Sequence, residues 1–70
     1  MNIRIQHTEL GRYAHIETVS NTLDVLLDDY LPTAASLRRL ANAMRQDATT
    51  VARALLLDMA ADQYDGARNI

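Results

Sequence analysis

Between Thr33 and Tyr64 the chain contains neither glycine nor proline, and Leu31-Pro32 stands immediately before that stretch. A residue preceding proline is pushed out of the helical region, so one element must end at Leu31 and another begin beyond it. Thr33 is placed to cap the second element with its hydroxyl. Leu37, Leu40, Ala41 and Met44 then recur at helical spacing, and the apolar face continues through Ala48 and Val51. Asp47 is a good N-cap, so a break near Arg45-Gln46 would make two helices of residues 33–64. Without that break the segment is one long helix. Asp65-Gly66 supplies a stop, with glycine as the C-cap, and residues 67–70 are expected to fray.

Upstream, NIRIQ (residues 2–6) alternates polar and apolar residues with period two, a short-strand signal within an N-terminal arm of residues 1–10. Gly11 interrupts it. Ile16, Val19, Leu23, Leu26 and Tyr30 follow at spacings of three and four, which predicts a helix over 13–31. The expected fold is therefore mainly α, a short N-terminal strand followed by a helical hairpin, in a single small domain.

A chain of 70 residues buries only about 60% of its unfolded surface and is marginal alone. With no cysteine, neither disulfides nor thiolate metal sites can staple it. Self-association is the remaining remedy, and a homodimer is expected. Leu55, Leu56 and Leu57 are successive residues, about 100° apart on a helix, and cannot all face one neighbour. A dimer seam is expected along the 51–62 face, through Val51, Leu55, Leu56 and Met59 and closing at position 62. The longest strongly apolar run, Ala54–Leu57, is far short of the roughly 20 residues of a membrane span. The N-terminus has no apolar core of a secretory signal, so a cytoplasmic protein is expected.

Net charge is −2, but it is unevenly distributed. Residues 14–31 carry Glu17, Asp24, Asp28 and Asp29, while 33–57 carry Arg38, Arg39, Arg45 and Arg53 against Asp47 alone. Residues 40–55, LANAMRQDATTVARAL, align without a gap to the pattern LAxxxGVSxxTVSRxL and so resemble helix-turn-helix DNA-binding regulators over residues 37–56. Arg45 and Gln46 stand where that pattern has glycine and a small aliphatic. The resemblance implies that Thr49 and Arg53 face base edges, Arg53 suited to a bidentate contact with guanine. It implies phosphate contacts for Arg38, Arg39, Arg45 and Thr50. The order strand, helix, helix also resembles ribbon-helix-helix proteins, with Asn2, Arg4 and Gln6 as the polar face of a ribbon. Both resemblances imply a dimeric transcriptional regulator with double-stranded DNA as its partner.

The acidic half supports another reading. A helical-hairpin homodimer could bind and inhibit a host regulatory protein such as a transcription factor, as a phage- or plasmid-type anti-activator would. Its contacts would be Glu17, Asp24, Val25, Asp28 and Asp29, whose charge would set encounter rate and specificity. A real break at Arg45-Gln46 with Arg38, Arg39 and Arg53 unpaired on one face favours DNA; an unbroken helix with these arginines paired to Asp28 and Asp29 favours protein. Nothing local resembles an active site. His7 and His15 lack helical ligand spacing, Asp24, Asp28 and Asp29 lack the pattern of a calcium loop, and there is no glycine-rich phosphate loop. No enzyme activity, cofactor or metal is expected.

Overall fold

The computed structural model describes residues 1–68, with side chains as far as Tyr64. It divides into two compact units, Met1–Leu31 and from Pro32 onward. The first is a three-stranded antiparallel sheet in the order β1-β2-β3, from β1 (Asn2–Thr8), β2 (Gly11–Glu17) and β3 (Thr22–Leu26). The second holds α1 (Thr33–Met44) and α2 (Val51–Arg68). The chain is thus α+β, and the expected mainly α fold with a helix over 13–31 is overturned.

The reason lies in a second periodicity over the same residues. Ala14 and Ile16, then Leu23, Val25 and Leu27, recur with period two, and four of these five are buried. Of the residues that suggested a helix, Val19 and Tyr30 are almost wholly exposed, at 108% and 96%. The segment breaks at Thr18–Asn21, where Thr18 N–H donates to the Asn21 carbonyl at 2.8 Å and the Thr18 hydroxyl accepts Asn21 N–H at 3.0 Å. Such side-chain-to-backbone bonds compete with a helix. The β-branched residues around the turn also favour a pleated strand.

β1 contains the strand expected at NIRIQ, and it pairs within the chain, Ile3 with Ile16 and Ile5 with Ala14. β2 continues the rows, Ile16 with Leu23 and Ala14 with Val25. One sheet face is therefore apolar. The opposite face carries the rows Asn2–Glu17–Thr22, Arg4–His15–Asp24 and Gln6–Tyr13–Leu26. Arg12 has the same parity as Ala14 and Ile16, yet its guanidinium finds partners, donating to the carbonyls of Asp28 and Leu31 at 2.8 Å each. Asp29 lies 3.7 Å from the Arg12 side chain. These bonds fasten the segment that follows β3.

In the second unit α1 starts at Thr33, with Pro32 and not Thr33 in the N-cap position, and its first intrahelical bond runs from Ser36 N–H to the Pro32 carbonyl at 2.9 Å. Leu37 and Ala41 of α1, with Ala54, Leu57, Ala60 and Ala61 of α2, are buried. The alanines, lacking Cγ atoms, allow close helix approach. Residues 33–64 form two helices, and the interruption needs no glycine. Asp47 Oδ1 accepts both the N–H and the hydroxyl of Thr49 at 2.9 Å, and the Thr50 hydroxyl donates to the Met44 carbonyl at 2.6 Å. α2 runs through Gly66, where a stop was expected, to Arg68; of the tail expected to fray, residues 69 and 70 lie outside those described.

Gly11 holds the β1–β2 turn at φ 127, a region L side chains rarely adopt. An added Cβ there would lie 3.4 Å from Asp29 Oδ2 and 3.5 Å from Leu26 Cδ1. Gly11→Ala is expected to destabilise the fold by roughly 1–2 kcal/mol through backbone strain, read by denaturant unfolding. An unchanged midpoint would show that the turn relaxes without cost.

Candidate functional site

The residues expected to contact DNA lie on α1, the interhelix turn and the first turn of α2. Most are engaged within the unit. Arg38 donates to Asp62 Oδ1 at 2.8 Å, and Arg45 is hydrogen-bonded to both Asp58 and Asn42. Arg39 is also partnered. The Thr49 and Thr50 hydroxyls serve the turn itself. Arg53 is exposed in the first turn of α2. Pairs at 45–58 and 38–62 place later residues of α2 beside earlier residues of α1, so the second helix runs back along the first.

The residues of the acidic reading are dispersed over the first unit. Asp28 Oδ1 accepts the Tyr30 backbone N–H at 2.9 Å, Asp29 faces Arg12, and Val25 is buried. Glu17 and Asp24 converge on His15, which lies between them on the polar sheet face. Its Nε2 is 2.7 Å from Glu17 Oε1 and its Nδ1 is 2.6 Å from Asp24 Oδ1. Arg4 reaches the same Glu17 oxygen at 3.5 Å. The His15 side chain is only 17% exposed. Sequence reasoning weighed His15 as a metal ligand alone and Arg4 only as part of a ribbon face, and passed over Arg12 and this row. The signal was available in the period-two alternation, which brings Arg4, His15 and Asp24 level across three strands.

The expected dimer seam divides. Val51, Leu55 and Met59 are exposed, at 47%, 62% and 51%, and spaced four apart they form one ridge along α2. Leu56 is half-buried and Leu57 fully buried, so the three successive leucines take three environments. Position 62 extends no apolar seam: it is Asp62, bonded to Arg38. Among the described residues no group of three metal-ligating side chains could hold an ion, and no helix is long and apolar enough to cross a membrane. Compared with known protein families, curated proteins and solved structures, the chain matches none.

Hydrogen bonding to Glu17 and then to Asp24 raises the His15 pKa above its ordinary 6.5. Hydrogen bonding from His15 lowers that of Glu17 below 4.5. The Thr49 backbone N–H, then its hydroxyl, lowers that of Asp47 below 3.8. The His15 contribution to stability is complete below 6.5 and is lost as pH rises through the higher folded value. The Glu17 contribution is complete above 4.5 and lost as pH falls through the lower folded value, with Asp47 acting in the same sense further down. Thermal melts across pH are therefore expected to show greatest stability between 4.5 and 6.5, falling on both sides. A melting temperature that keeps rising above that window would contradict the assignment.

Proposed function

We propose that this chain is a small non-catalytic protein-interaction module, working in the cytoplasm as a homodimer whose copies meet along the Val51–Leu55–Met59 ridge. The observation that carries the reading is that ridge, half-exposed on a helix whose neighbouring acids are neutralised. Asp58 is held by Arg45 and Asp62 by Arg38, so two copies of α2 can approach without the like-charge repulsion bare carboxylates would bring. Apolar side chains at i, i+4 and i+8 suit ridge-into-groove packing against a second helix. A dimer of this kind acts by occupying a surface of another protein, as an inhibitor of a regulatory protein does.

A DNA-binding regulator is the second reading. In its favour are the helix break between Arg45 and Thr50 and the exposure of Arg53. Against it stands the engagement of Arg38 and Arg45 by carboxylates, which would have to be given up to phosphates.

Sedimentation velocity over a concentration series tests the first reading. The wild type is expected to pass from monomer to dimer, and Leu55→Glu, at an exposed position that leaves the core intact, to remain monomeric with unchanged circular dichroism. A wild type that stays monomeric at every concentration, or a Leu55→Glu variant that dimerises equally well, would overturn it.

A further inference from the structure

We infer that His15 is a proton-operated latch on the edge strand β3: as an imidazolium it binds Glu17 and Asp24 together, and on giving its proton to water it releases Asp24 and loosens β3. The device lies wholly in the first unit and stands apart from the dimer reading. Both ring nitrogens lie within 2.7 Å of a carboxylate oxygen, and an ionised carboxylate only accepts hydrogen bonds. Only the doubly protonated ring can donate to both. A neutral ring has one N–H, so one of the two contacts would set a lone pair against a carboxylate.

The charged groups around the ring decide which contact fails. Arg4 from β1 faces Glu17 on β2 at 3.5 Å and keeps that carboxylate beside the ring, while the Asp24 side chain, 58% exposed, can turn to water when His15 loses its proton. Asp24, on β3, has His15 as its one ionic partner among the described residues. β1 and β3 are both edge strands that pair with β2 alone, and β3 is the shorter, at five residues against seven. Loss of the His15–Asp24 bond therefore falls on the shorter edge strand, while the β1 side of the row stays paired. Edge elements with few neighbours open at the low end of the stability range.

Nitrogen-15 NMR of the full chain tests this. At low pH both His15 ring nitrogens are expected to show the imidazolium shift, with a titration midpoint above 6.5. The amide signals of Leu23, Asp24 and Val25 are expected to move or broaden with that same midpoint, while those of Arg4 and Ile5 move less. Asp24→Asn, a change at an exposed position that preserves the fold, is expected to lower the His15 midpoint and uncouple the β3 amides from it. A midpoint at or below 6.5, or β3 amides that stay fixed while His15 titrates, would overturn the latch.

Discussion

Two cross-helix ion pairs, Arg45 with Asp58 and Arg38 with Asp62, set what the second unit can offer to anything outside it. Exposed pairs of this kind contribute only about 0–1 kcal/mol each, so their importance is not chiefly to stability. They mark the antiparallel course of α2 along α1 and engage two cations that the sequence presents as phosphate contacts. They also neutralise the acids beside the exposed ridge of α2.

The sheet unit uses charge differently. On its polar face the row Arg4–His15–Asp24, joined through Glu17, links three strands by side chains as well as by backbone. Arg12, whose parity places it with the apolar residues, instead secures the chain after β3 through carbonyl groups of Asp28 and Leu31. One arrangement depends on protonation near neutral pH. The other is carried by hydrogen bonds to main-chain carbonyls.

The legible parts of the fold were those where a single periodicity operates. NIRIQ alternates and is a strand; Leu37, Leu40, Ala41 and Met44 repeat at helical spacing and line α1. Residues 13–31 satisfied two periods at once, and the helical one was an accident of Val19 and Tyr30, both of which are exposed. The arbiter was the Thr18–Asn21 turn, a Ser/Thr/Asn cluster of the kind that separates strands. Asp47 was legible as a helix-breaking cap, although it organises the turn before α2 and not the first residue of the helix. The engagement of the arginines was hidden because Asp58 and Asp62 lie beyond the resemblance and meet α1 only after the chain folds back. The His15 row was hidden for the same reason as β2 and β3: its members are neighbours only in the sheet.

The central proposal is that this protein meets other protein chains and not nucleic acid, because Arg38 and Arg45 of its clustered arginines are engaged by carboxylates. Fluorescence anisotropy with mixed-sequence duplex DNA at low salt tests that claim most directly, since weak electrostatic binding is strongest there. The account predicts no change in anisotropy at protein concentrations where the dimer forms. Salt-dependent binding that Arg53→Ala and the double change Arg38→Ala/Arg39→Ala both weaken would contradict it and make residues 37–56 a DNA reader.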